Sequence, residues 1–369
     1  MQAHGLRDAS VLARIPLYNA FRELGWPRIR PLTMSFVVTD KCNSRCETCQ
    51  IGARYLDDPS VAEGELTLDE YRRLFASIGR LEWVTLSGGE PFMRKDFPEL
   101  ARSLVAATRP RVVNVPTNGT FVHAVRVGVA RMLEGFGDTR LVINVSLDGV
   151  GARHDLVRGF PGNFERVLQL AEALREIDDP RLTFGCNTVV SAFNAEHVPE
   201  TIDFVLDELR PDSYVLETAQ VRPEYYNDDV ALDAGARAVR RALDHATRRL
   251  EAEPRRGVPA LVKAFRRHYY AQTRRRLDGP VSHRCFSGFA TCAVMPKGDV
   301  WSSTQRGDAM GNVRDFELDF GALWASPQAE RARARVRAER CTCETSNVSY
   351  PNALLDPPQL AAVAWHALW

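Results

Sequence analysis

The chain has 369 residues, 45% of them hydrophobic and 26% charged, with a net charge of +1 at pH 7. That is ordinary globular composition, with room for one large domain and a smaller one. Balanced charge supplies no global field for nucleic acid, no run approaches the roughly 18 apolar residues of a membrane span, and Arg7, Asp8 and Arg14 interrupt any N-terminal signal core, so a cytoplasmic protein is expected.

In chain order, residues 1–30 read as a helical preface, with a helix predicted over Ser10–Leu24. From 31 to 220 strand and helix patterns alternate. Strands are predicted at Met34–Thr39, Trp83–Leu86, Arg111–Val115, Leu141–Leu147, Leu182–Val190 and Ser213–Glu217. Between them lie helices at Thr67–Ile78, Phe97–Ala107, Val122–Leu133, Asn163–Ile177 (with Asn163 as N-cap) and His197–Leu209. Six β/α units in a row imply a parallel sheet with right-handed crossovers. Such a sheet curls into a full or partial barrel with its chemistry at the C-terminal strand ends. Residues 221–280 are more charged and read as a helical connector, with helices at Ala231–Glu253 and Val258–Arg276. Residues 281–369 form a second unit, with a hairpin at Cys292–Ser302 turning at Lys297-Gly298-Asp299 and a closing apolar helix at Leu360–Trp369.

Seven of the eight cysteines fall into two groups, 42/46/49 and 285/292/341/343, and Cys186 stands alone. Cys42, Cys46 and Cys49 are spaced C-x3-C-x2-C just after the first predicted strand. Three thiolates can hold three irons of a [4Fe–4S] cube and leave the fourth iron open to a small chelating molecule. A structural zinc site wants four ligands, and no fourth Cys or His is close by in sequence. Disulfides would leave one of the three unpaired. Further motifs sit at other predicted strand ends: Ser87-Gly88-Gly89-Glu90-Pro91, Thr117-Asn118-Gly119, and Ser146-Leu147-Asp148-Gly149 followed by His154-Asp155-Leu156-Val157-Arg158-Gly159.

Together these motifs resemble the radical S-adenosylmethionine (radical SAM) enzymes. The resemblance implies an α/β fold, a partial (β/α)6 TIM-like barrel with a small C-terminal α+β unit. It implies a catalytic [4Fe–4S] cluster on Cys42, Cys46 and Cys49, with SAM on the open iron. Ser87, Gly88, Gly89 and Glu90 then meet the methionine ammonium, and Ser146 and Arg158 its carboxylate. Asn187 falls near the ribose, and Asn118 lines the cavity. Plainer readings are a salt bridge for Arg158, a satisfied interior amide for Asn187 and turn chemistry for Asn118-Gly119. Thr48 departs from the family's aromatic residue before the third cysteine.

Val294–Trp301 and Gly311-Asn312-Val313-Arg314 resemble landmarks of SPASM and twitch domains, which carry auxiliary clusters. Cys285, Cys292, Cys341 and Cys343 supply four thiolates, the complement of one auxiliary iron–sulfur cluster, expected as [4Fe–4S]. Ser302, Ser303, Thr304 and Asn347 stand where those domains place further cysteines, so two auxiliary clusters are not expected. A four-thiolate zinc site or an empty domain are the alternatives.

The implied activity is reductive cleavage of SAM to a 5′-deoxyadenosyl radical that abstracts hydrogen from a substrate, with flavodoxin or ferredoxin as electron donor. The roughly 30 residues before the first strand are too few for a peptide-recognition domain, which needs about 50. A small-molecule or carrier-linked substrate (natural product, sugar, nucleoside or lipid-linked) is therefore expected. The step would be dehydrogenation, epimerisation or C–C/C–X bond formation. A peptide-modifying maturase and a non-catalytic electron-transfer module are the alternatives, and the second needs no SAM pocket. Tyr214, Glu217, Gln220, Arg222, Tyr225 and Tyr226 are candidates to line the substrate side. Strand alternation sets Cys186 on the face opposite Asn187, away from the cavity.

Overall fold

The computed structural model describes residues 11–252, 260–279, 281–339 and 345–368. Strands β1 (Thr33–Val37), β2 (Trp83–Ser87), β3 (Val112–Thr117), β4 (Arg140–Ser146), β5 (Leu182–Val190) and β6 (Ser213–Thr218) pair in sequence order, all parallel. The other edge of β1 takes β7 (Thr291–Val294) in parallel, and β8 (Asp299–Trp301) and β9 (Ala309–Asn312) follow antiparallel. The result is one nine-stranded sheet in the order β6-β5-β4-β3-β2-β1-β7-β8-β9. Among the described residues the sheet stays open, because β7 occupies the edge of β1 that a closed barrel would offer to β6.

Side-chain alternation divides the sheet into two faces. In β1, Met34 and Phe36 are buried against the helices, and Phe36 meets Phe75 edge-on at 5.3 Å. Ser35 and Val37 point the other way, into a cavity. The helix Leu68–Ile78 starts on a reciprocal capping box between Thr67 and Glu70 and buries Tyr71, Leu74, Phe75 and Ile78.

Several predicted boundaries move for local reasons. The first strand ends at Val37, since the Thr39 carbonyl turns to accept from Gly89 N–H at 2.8 Å. Asn163 is not an N-cap. Asp155 takes that role, accepting from Gly162 and Phe164 N–H at 2.6 and 2.8 Å, while Asn163 is fully buried in other bonds. The helix after β5 runs Val198–Phe204 and then widens into a π turn over Val205–Leu209. The helix predicted from Ala231 begins at Ala236, after a turn in which Asp233 accepts from Gly235 N–H. Ser10, Glu253, Val258 and Trp369, ends of predicted helices, lie outside the described residues. Among the described residues no helix is long and apolar enough to cross a membrane.

Two side chains near the C-terminal strands, Arg333 fully buried and His283 half-buried, give stability predictions. The Arg333 side chain is fully buried under Trp324 and Phe21, 4.4 and 5.0 Å from their rings, and burial lowers its pKa to about 10. It donates to the carbonyls of Gly288 and Trp324 at 2.7 and 2.8 Å. Arg333→Met strands both acceptors in an apolar site, and a loss of about 3 kcal/mol is expected in urea denaturation. His283 accepts from Asn352 Nδ2 (3.2 Å), because Asn352 Oδ1 is committed to Phe286 N–H (2.9 Å). Burial, then Arg276, lower its pKa to about 4. The unfolded imidazole titrates near 6.5, so the unfolded state binds the extra proton and stability falls as pH drops from about 6.5 towards 4. His283→Gln is expected to flatten that slope, by about 2 kcal/mol between pH 6.5 and 5.

Candidate active site

The loops after the parallel strands gather over one cavity. Each inner strand contributes polar residues at period two: Ser35 from β1, Thr85 and Ser87 from β2, Asn114 from β3, Asn144 and Ser146 from β4, and Asn187 from β5. Ser35, Thr85, Asn114 and Asn144 were not anticipated. The available signal was a polar residue within a strand whose neighbours read as a continuous apolar run.

Cys42, Cys46 and Cys49 all line this cavity. Their loop is held by close backbone approaches. Gly89 N–H donates to Thr39 O (2.8 Å) and Glu90 N–H to Lys41 O (2.7 Å), zipping the loop after β2 to the cysteine loop. A Cβ on Gly89 would lie 2.4 Å from Lys41 O, and one on Gly52 only 1.8 Å from Ser44 O. Glu47 N–H donates to Val157 O (3.0 Å), Gln50 N–H to Tyr225 O (2.9 Å) and Asn227 Nδ2 to Thr48 O (2.9 Å). With the backbone fixed in this way, all three cysteines border one space.

Burial pushes all three thiols up, Cys42 to about 12, and each of Cys42 and Cys49 is raised further by Cys46. Arg158 opposes this, and no other side chain does so at all three thiols. Three thiolates facing one arginine, two of them buried and Cys49 half-buried, need more positive charge than the protein supplies, which is the donor set an iron cluster fits.

Arg158 closes the helix Ala152–Arg158 and its side chain is 14% exposed. Burial works against its charge, but Cys46, Asp148 and Cys42 outweigh it and hold the guanidinium protonated. Nη1 donates to Asp148 Oδ2 at 3.1 Å, while Nε is buried without a hydrogen bond. An unpartnered buried donor beside the thiols fits an anionic ligand. Ser146 and Asn187 are directly paired across β4 and β5 and share the cavity wall. Cys186 faces the apolar core.

Ser87, Gly88 and Gly89 line the cavity. Glu90 is fully buried behind them and accepts from Phe92 N–H (3.2 Å), Thr117 Oγ1 (3.0 Å) and Asn118 N–H (2.8 Å). Burial raises its pKa to about 7. Its carboxylate ties the loop after β2 to the end of β3. Asn118 also reaches the cavity, and its amide donates to Asn43 Oδ1 (2.8 Å) and Ser44 Oγ (3.0 Å) within the cysteine loop.

The cavity is also lined by Glu217, Gln220, Arg222 and Tyr225, together with Thr304, Ser346 and Asn347 from the C-terminal quarter. Glu217 accepts from Ser346 N–H at 2.8 Å. Arg222 lies over the Tyr225 ring at 4.8 Å and donates to Glu224 at 2.8 Å. Tyr214 does not join them: three residues before Glu217 on one strand, it faces the helices and is buried in the core. Tyr226 is outside as well, with Arg54 over its ring at 3.6 Å. Cys285 and Cys292 are buried in the apolar core, Cys292 on β7 beside Met34 of β1, and neither lines the cavity. Cys341 and Cys343 lie outside the described residues.

Comparison with known proteins agrees with this arrangement. The profile described as the radical SAM superfamily matches residues 36–205. The chain is 30% identical over 322 residues to the AdoMet-dependent heme synthase of Methanosarcina barkeri, covering 82% of this chain and 84% of that protein. It is 29% identical over 370 residues to the pre-heme d1 synthase of Dinoroseobacter shibae, covering 92% and 86%. Among solved structures, Streptococcus suis SuiB bound to S-adenosylmethionine superposes with a TM-score of 0.56 at 15% identity, over 83% of this chain and 68% of that one.

Proposed function

Because the chain belongs to the radical SAM superfamily, we propose that it uses SAM to abstract a hydrogen atom from a small carboxylated substrate of the tetrapyrrole class. The observation that carries the radical SAM reading is the convergence of Cys42, Cys46, Cys49 and Arg158 on one cavity. When bound, a reduced [4Fe–4S] cluster supplies one electron that splits the C5′–S bond of SAM into methionine and the 5′-deoxyadenosyl radical. The chain's own residues do the rest. Arg158 presents a charged donor to a carboxylate, Ser146 and Asn187 offer hydroxyl and amide partners, and the glycines of residues 87–90 let backbone come close. Ser346 and Asn347, at the start of the helix Ser346–Leu355, add to the wall of the cavity.

The tetrapyrrole class is favoured because two relatives spanning more than four-fifths of this chain are named for heme and pre-heme d1. Glu217, Gln220, Arg222 and Asn347 line the same cavity as Arg158 and supply a polar wall for substrate. We place the protein in the reducing cytoplasm with a flavodoxin or ferredoxin as donor, and assign one auxiliary cluster to Cys285, Cys292, Cys341 and Cys343. Anaerobic reconstitution tests the cofactor content. About eight irons per chain, falling to about four in a Cys42→Ala/Cys46→Ala/Cys49→Ala variant, is the expected count; four falling to none would remove the auxiliary cluster. Substrate class is tested with carboxylated iron porphyrins, iron-coproporphyrin III among them. Stimulated 5′-deoxyadenosine release with a mass change in the porphyrin supports the class, and no stimulation by any of them refutes it.

A further inference from the structure

One fully buried titratable side chain lies behind the cavity lining rather than in it. His154 is completely buried on the helix Ala152–Arg158, four residues before Arg158 and therefore on the same helical face. Its Nδ1 lies 3.1 Å from the backbone nitrogen of Asp148, and its Nε2 lies 3.1 Å from Asn163 Oδ1.

Backbone groups at both ends fix the direction of every proton in this chain of bonds. Asp148 N–H can only donate, so Nδ1 accepts. Asn163 Nδ2 donates at 2.9 Å to the Asn118 carbonyl, which can only accept. That turns Asn163 Oδ1 towards the imidazole, and Nε2 must carry the hydrogen. Burial agrees with this single tautomer, lowering the His154 pKa to about 4.

The chain of bonds ends on the reactive site in both directions. Through Asn163 it reaches Asn118, whose amide holds Asn43 and Ser44 between Cys42 and Cys46. Through Asp148 it reaches Arg158, and Asp148 is also pinned by Val189 N–H (2.8 Å) and by Asn194 on its carbonyl (3.0 Å). The same helix end presses on the loop directly, since a Cβ on Gly159 would lie 2.1 Å from Arg45 O.

We infer that His154 is a positioning residue that locks Arg158 and the Cys42–Cys46 loop into one arrangement and so sets the affinity of the site for SAM. This rests on the radical SAM reading. A packing role alone would cost stability without acting selectively on SAM. Outer partners that orient a metal site typically change affinity by about 10–100-fold when removed.

The test uses the reconstituted full-length protein. Iron content, the EPR spectrum of the reduced cluster with and without SAM, and SAM binding by equilibrium dialysis are measured for wild type, His154→Ala, His154→Asn and His154→Gln. His154→Ala is expected to keep its iron, bind SAM at least about tenfold more weakly and lose the SAM-induced EPR change. His154→Asn, which can place an acceptor near the Nδ1 position, is expected to recover more affinity than His154→Gln, whose amide reaches towards the Nε2 position. A folded His154→Ala protein with wild-type affinity and spectra overturns the proposal, as does rescue by neither amide. If His154→Ala does not fold, equal SAM affinity in the Asn and Gln variants overturns it. A wild type whose EPR spectrum ignores SAM defeats the radical SAM reading itself, whereas a responsive wild type matched by His154→Ala defeats only the role of His154.

Discussion

Cys46→Ala is expected to abolish SAM cleavage, leaving no turnover above that of cluster-free protein. Cys46 is buried, lines the cavity and lies between Cys42 and Cys49 in the loop. A cube held by three thiolates has no spare protein ligand, so removing one releases an iron or the whole cluster. The fold should not suffer. The substitution trades a small buried thiol for a methyl, and loop geometry is carried by backbone bonds such as Glu90 N–H to Lys41 O. Metal-free protein is therefore expected to change stability by less than about 1 kcal/mol. Iron analysis, visible absorption and urea denaturation on one preparation separate the two effects.

Arg158→Gln is expected to act on stability and on SAM together. The Asp148 side chain is only 2% exposed, and Arg158 is its charged partner at 3.1 Å. Leaving a buried carboxylate without its cation typically costs about 3–5 kcal/mol. Losing a charged donor beside the thiols is expected to weaken SAM binding by roughly 10–100-fold, the equivalent of one charge-assisted hydrogen bond. The double variant Asp148→Asn/Arg158→Gln separates these effects. Neutralising Asp148 should return most of the stability, because the amide oxygen can still accept from Val189 N–H. It should not return SAM affinity. Recovery of both would reduce Arg158 to a structural ion pair.

Much of the barrel was legible because each of its elements carries a local period. Leu68, Tyr71, Leu74 and Phe75 mark a helix face, and the structure buries Tyr71, Leu74 and Phe75. Cys186 and Asn187 could be sent to opposite faces by alternation alone, and the core cluster holds one while the cavity holds the other. The same rule, applied along β6, would have removed Tyr214 from the cavity once Glu217 was placed in it. What local pattern cannot supply is choice of partner. Nothing in Thr291–Val294 says that it will pair with β1, more than 250 residues earlier, and that pairing keeps the sheet open.

Motif chemistry was legible as spacing but not as use. The glycines at 88 and 89 read as room for a ligand, yet each also meets the cysteine loop at less than 3 Å from an added Cβ. Glu90 read as a ligand carboxylate, and its oxygens are engaged by Phe92, Thr117 and Asn118. Asn163 read as a cap because asparagine favours caps, but a buried amide with two fixed partners wins over a solvent-facing one. Thr304 and Asn347 were noticed only as places where cysteine is missing, and both line the cavity.

Radical cleavage of SAM by this chain is tested by the yield of 5′-deoxyadenosine and methionine after anaerobic reconstitution and reduction with dithionite. Wild type is expected to release both products in equal amounts, and the Cys42→Ala/Cys46→Ala/Cys49→Ala variant neither. Wild-type protein that binds its iron yet releases no 5′-deoxyadenosine, or a triple variant that releases as much, would contradict it.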